Sequence, residues 1–455
     1  MITADLVDNP EAWYEQFKTL THDDQFQFIE ETFEYPISED FPNGCPMADL
    51  LSELQSSVVP ERYAALVEKI RQVVPDFHRQ ELYYLEPHVV RLALFRDDVV
   101  RLQKSIDYYL ADPAGDVDKY LQVFRWCVLY QKTESAKTMA EAGFFPLRSS
   151  PKVISGAQRE LSDFLLLEEY EALYNRVQQG EPKDLEPISQ LQRRLYDDVD
   201  SDLEEITRPL FAETLGPVPD IDWSDDSDRN ALRQELFWHF LRYAREHYHL
   251  TFSAAGLIWQ NYAECLESRS EDIDPERYFT PSVDEIDRFV ARYRTFLFYA
   301  GEMVATMIWG LPYLADFLRD VGWIGSAEHQ YLAEVANTLK SSLIESDREV
   351  LWQYDFVHRW TPPTIEARDH FAEEAKLFAD SVNMVRSYDR PTKTSELDGP
   401  MMDILRQFAD AMAPMASNQV EPTSGGWPVA PKKTLPKPKS SHKKPRKRPR
   451  KRRRK

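Results

Sequence analysis

The most reactive-looking spacing in the 455-residue chain is Glu246-x-x-His249. On a helix it projects a carboxylate and an imidazole from one side, one turn apart, which is half of a di-iron carboxylate signature. That chemistry needs the motif twice and two more glutamates. The only substitute is Asp355-x-x-His358. His239, His247 and Glu235 lie in the same stretch, and a solvated or helix-capping role is expected for these histidines, with no metal and no cofactor. Glu302 is one of two acids, with Asp316, inside the otherwise apolar run 296–318, a position where burial perturbs ionisation. It is the natural catalytic candidate, joined by Glu246 and His249, if the second half of the chain carries a dispersed enzyme site. Residues 197–202 and 220–228 alternate carboxylates as calcium loops do. Counting from Asp198, however, the sixth and twelfth positions hold Leu203 and Pro209, and from Asp220 they hold Asp225 and Ala231. An EF-hand needs Gly and Glu there, so linker and helix N-terminal charge are expected instead.

No phosphate loop, dinucleotide fingerprint, nucleophile elbow or zinc-protease helix occurs in the sequence. Its most specific chemistry is polyanion binding. Lys432, Lys433, Lys437, Lys439, Lys443 and Lys444 are spaced by Pro436, Pro438, Ser440 and Ser441, and a dense block follows: Arg446, Lys447, Arg448, Arg450, Lys451, Arg452, Arg453, Arg454 and Lys455. Prolines hold the first part extended, and no aromatic residue is present to stack on bases. Phosphate contact without sequence readout is the expected mode. The segment resembles the Lys/Pro-rich tails of linker-histone-like proteins, and its PRKRPRKRRRK resembles a nuclear localisation signal.

The formal net charge of −22 hides this asymmetry. Residues 432–455 hold 15 of the 55 Lys and Arg and none of the 77 acids, so the remainder carries −37. Cys45, Cys127 and Cys265 are sparse and unpaired in spacing, as suits buried thiols in a reducing compartment. No basic, apolar leader is visible at the N-terminus. Only 13 residues, 303–315, separate the acids that interrupt the longest apolar run, too few to span a bilayer. A soluble protein is expected, cytoplasmic and either nucleoid-associated or nuclear.

The elements that must position these groups read as helices throughout. With 14 Gly against 30 Pro, the composition favours helices begun by proline over the tight turns of sandwiches and barrels. Asn9-Pro10 precedes Trp13, Phe17 and Leu20. Val99, Leu102, Ile106 and Tyr109 form a stripe, as do Leu332, Val335, Leu339 and Leu343. Leu232, Leu236, Phe240, Tyr243 and His247 form an aromatic one. Ser282 and Glu285 make a capping box ahead of Ile286, Phe289, Tyr293, Phe296 and Ala300. Residues 250–253 could be extended, and Pro312 is expected to break its helix. Aromatic runs such as 237–240 and 309–313 read as core, whereas Trp223 and Trp427 read as docking anchors in flexible, polar segments. Helix 117–130, a turn at 131–134 and helix 135–142, closed by Gly143 and Pro146, resemble a tetratricopeptide-type hairpin, although no 34-residue period recurs.

The expected fold is all-α: an irregular, repeat-like stack of antiparallel helix pairs in two lobes, 1–215 and 229–416. An acidic linker, 216–228, joins them, and a disordered tail, 417–455, follows. The expected function is a non-enzymatic scaffold or adaptor whose acidic body binds protein partners and whose basic tail tethers it to nucleic acid. The alternative is a helical enzyme, its tail only an address.

Overall fold

The computed structural model describes residues 2–385, apart from 152, 154–155, 197–201, 213–220, 270–274, 295–299 and 367. Twenty α-helices and three short 3-10 turns make up the described residues, and no strand occurs among them. The all-helical architecture therefore follows the sequence reading. Expectations for 417–455, Trp427 and Phe296 lie outside the described residues.

Local chemistry starts these helices where side chains can answer the orphan amides of a first turn. Asn9 Oδ1 accepts from the Ala12 amide at 3.1 Å ahead of Pro10. Asp98 and Asp116 do the same for Arg101 and Lys119, each at 3.0 Å. Ser282 and Glu285 form the reciprocal box, with the Ser282 amide donating to Glu285 at 2.7 Å. Scarce glycine is explained by the helix ends. Four helices close with a left-handed residue and the paired backbone bonds of a Schellman ending. Gly180 and Gly322 supply two, but Asp97 and Gln131, both at φ 54°, supply the others. Their side chains are put to use: Asp97 pairs with Lys132 and Arg359, and Gln131 Oε1 accepts from the Thr251 amide.

Helices pack mainly against their chain neighbours. Leu82–Phe95 lies on Val99–Ala111, Thr133–Ser149 on Arg159–Gln178, Asp226–Tyr248 on Phe252–Glu267, and Gly301–Asp320 on Ser326–Ser346. Buried residues form two clusters. One takes its members from 2–95 and is completed by Trp352 and Val382 from far along the chain. The other runs from Leu82 to Phe378, drawing on both sides of residues 221–228. Gly301–Asp320 is the axis of the second cluster, buried at every position from Gly301 to Leu318. All three cysteines are free and buried.

Several local expectations are corrected. Pro312 sits inside its helix without ending it. The ring costs about 3 kcal/mol in a helix interior, which burial of the neighbouring Leu311, Tyr313 and Leu314 offsets. Helix Thr133–Ser149 likewise runs through Gly143 and Pro146. Gly143 is a packing position: a Cβ there would lie 2.7 Å from the Tyr120 ring. Val99 is 66% exposed, whereas Leu102, Ile106 and Tyr109 are buried as their stripe requires. Residues 250–251 merely lead into helix Phe252–Glu267, which Thr251 caps. Trp223 packs on the core, 5.0 Å from the Tyr278 ring. No helix among the described residues is long and apolar enough to cross a membrane.

Candidate functional site

Glu302 lies in the first turn of the buried axial helix, its side chain 2% exposed. Its neighbours come from distant segments. Gln122 Nε2 donates to Oε2 at 3.4 Å, and Arg125 Nε stands 3.8 Å from Oε1. Arg125 Nη1 also donates to Glu160 at 3.3 Å. These are long contacts, and among the described residues no hydrogen-bond partner meets Glu302 Oε1, Glu160 Oε1, Arg125 Nε or the nearby Asn261 Oδ1, all buried. Asn261 reaches the same turn through Nδ2, which donates to the Met303 carbonyl at 3.4 Å. Burial opposes the charge of Arg125, yet Glu160 and Glu302 lift its pKa above the ordinary range. Burial, only partly countered by Arg125, pushes the Glu160 carboxyl up. The arrangement is a loosely knit polar pocket of two carboxylates around one guanidinium, roomy in its hydrogen bonding and suited to ordered water.

Glu246 and His249 are elsewhere. Glu246 accepts from the Tyr174 hydroxyl at the exposed end of Asp226–Tyr248. His249 is the left-handed C-cap of that helix, at φ 56°, and its side chain is exposed. No hydrogen bond or ion pair among the described residues joins either one to Glu302. His239 is buried, its pKa depressed to about 4 by burial and then by Arg242. Asp202 and Asp225 cap helices and Asp222 folds back on Ser224, which accounts for the described part of both acidic stretches. The fifteen Lys and Arg of 432–455 lie outside the described residues.

Other buried charges are held far more tightly. Glu86, fully buried, takes Arg71 at 2.5 Å, His78 at 2.7 Å and Ser105 at 2.7 Å. Burial works against its charge, but His78 and Arg71 hold its carboxyl below the ordinary range. Asp316 accepts from Tyr248, His329 and the Thr364 amide and hydroxyl, all at 2.7–2.8 Å. Such saturated hubs fasten helices to one another.

Two arrangements escaped sequence reading. One is an open groove between Thr133–Ser149, Arg159–Gln178 and Glu186–Leu195, lined by Lys137, Glu141, Glu168, Glu169, Leu191 and Arg194 among others. In it Glu168 accepts from Ser253 Oγ at 2.7 Å, and burial pushes its pKa up to about 7 against the effect of that bond. The other is the trio Glu366, His370 and Glu374, whose ligand-capable atoms lie within 4.8 Å of one another. The four-residue spacing puts His370 and Glu374 one turn apart on helix Arg368–Ser381, with Glu366 just before it; the sequence does not show that Lys340, Trp309 and His358 gather around them. No protein-family model matches the chain, and no curated protein and no solved structure is similar to it.

Proposed function

We propose that the chain is a non-enzymatic α-helical scaffold or adaptor: the helical body engages protein partners, and residues 432–455 tether it to nucleic acid through phosphate. The observation that carries this reading is the segregation of charge, 15 Lys and Arg without an acid in 24 residues, beside −37 on the rest of the chain. So many uncompensated cations attract a phosphate polymer strongly, whatever its sequence. The described body supports the scaffold half. Its deepest ionisable groups, Glu86 and Asp316, are saturated by neighbouring helices and so serve rigidity. Glu302, the catalytic candidate, is held among the described residues by the Arg125 guanidinium and the Gln122 amide.

Fluorescence anisotropy with duplex oligonucleotides tests the tether. If about six phosphates are engaged, log K falls with log salt at a slope of roughly −5. Oligonucleotides of unrelated sequence then bind within a few-fold of each other. Deletion of residues 432–455 should abolish the binding; unchanged affinity in that variant overturns the proposal.

A further inference from the structure

We propose that Glu366, His370 and Glu374 form a binding site for a divalent first-row transition-metal ion, open to solvent on the His370 side. The three residues recur at four-residue intervals into and along helix Arg368–Ser381, and their ligand-capable atoms converge within 4.8 Å. The site is unlike a chance group of surface acids. The Glu366 side chain is 8% exposed and that of Glu374 4%, while His370, at 60%, forms the mouth.

Lys340, itself buried, meets Glu366 Oε1 at 2.6 Å, the one Lys or Arg among the described residues that pairs with the group. Glu374 receives hydrogen bonds, both at Oε1: Trp309 Nε1 at 2.6 Å and His358 Nε2 at 2.8 Å. The Lys340 ammonium lies 5.6 Å from the Trp309 ring, and Phe371 and Phe378 pack on His358. The ion would take one carboxylate oxygen each from Glu366 and Glu374 and a nitrogen of His370; among the described residues, donors meet only one of the two Glu374 oxygens.

Ligand chemistry sets the class of ion. Two carboxylates and one imidazole suit Zn2+ and its first-row neighbours, with water completing the shell. Metal–ligand distances of about 2.1 Å place donor atoms roughly 3.4 Å apart. His370 Nδ1 is already 3.7 Å from Glu366 Oε1, and its exposed side chain is free to close the remainder. Trp309 and His358, fixing one Glu374 oxygen, play the orienting part that outer-sphere partners play around bound metals. Lys340 competes with the ion for Glu366, which weakens the binding.

The test is calorimetric titration of the metal-stripped full chain with ZnCl2 near neutral pH, followed by thermal melting with and without the ion. One saturable equivalent and a raised Tm are expected. H370A, at an exposed position, should weaken that equivalent roughly 10–100-fold, and the H247A/H249A pair should leave it unchanged. Absence of a saturable equivalent overturns the proposal, as does one that H370A spares or that H247A/H249A removes. Should H370A fail to melt cooperatively, Co2+ bound to the unmodified chain decides: ligand-field absorption supports a protein-ligated ion, and its absence overturns the site.

Discussion

At the scale of single residues, Glu168 is the group whose ionisation most directly touches stability near neutrality. Its carboxyl titrates at about 7 in the folded chain, chiefly because of burial, with Glu171 adding to the rise and Ser253 opposing it. The unfolded chain releases that proton near the ordinary value of 4.5. Between these two pH values the folded state therefore holds the extra proton, and stability falls as pH rises through the window. Above it the loss is complete and constant. Glu168→Gln keeps an acceptor for Ser253 Oγ but has nothing to ionise. Relative to the unmodified protein, its advantage should be small at pH 4.5 and grow to about 1–3 kcal/mol by pH 8. Urea unfolding midpoints of both proteins at the two pH values check this, and a difference that does not grow with pH refutes it. His88 has the opposite acid-side behaviour. Burial, with a smaller contribution from Arg91, depresses it to about 3 between Tyr63 and Trp352. Its stabilising neutrality is present above the unfolded value of 6.5 and lost as pH falls toward 3.

At the scale of elements, small residues decide how closely neighbouring helices approach. The helices Val117–Leu129 and Thr133–Ser149 meet where the Tyr120 ring covers Gly143 and its hydroxyl donates to the Met139 carbonyl at 2.6 Å. Gly143→Ala gains helix propensity, worth up to about 1 kcal/mol. Its methyl, however, would have to displace a fully buried ring, an overpacking cost of about 1–3 kcal/mol. The net expectation is a lowered Tm, while Gly180→Ala, at a left-handed helix end with open space around it, is destabilised only by backbone strain. Thermal melts of both variants separate packing from conformation. This pair also shows what was legible in the sequence. Caps, proline starts and apolar stripes are decided within one or two turns, so Asn9, Ser282 and the stripe ending at Leu343 were readable. Gly143 reads as a helix stop in the sequence because its real partner, Tyr120, lies on another element. The Glu302 pocket was half legible for the same reason: an acid in an apolar run stands out, whereas Gln122 and Arg125 lie about 180 positions away. Pro312 was misread because local geometry disfavours it and only burial on all sides sustains it.

At the scale of the whole molecule, distant stretches close on each other and the charge divides into two poles. Arg359 reaches Asp97 at 2.5 Å and the Phe95 carbonyl at 2.7 Å, and Trp360 Nε1 donates to the Leu129 carbonyl at 3.1 Å. Each of these contacts joins residues more than 200 positions apart. Tethered to this body are the fifteen cations of 432–455, held beside a net charge of −37 at high effective concentration. Each close pair contributes on the order of 1 kcal/mol even in a solvent-like dielectric, and many can form loosely at once. Where those contacts form, a phosphate polymer would have to displace them before binding, and the body would compete for its own basic segment. Salt loosens the competition, because the screening length is about 8 Å at physiological ionic strength. The comparison that exposes this is DNA affinity of the isolated 432–455 peptide against the full chain, at low salt and again at physiological salt. The peptide should bind more tightly at low salt, with the gap narrowing as salt rises. Equal affinity for DNA at low salt would mean that the acidic body leaves the basic segment alone.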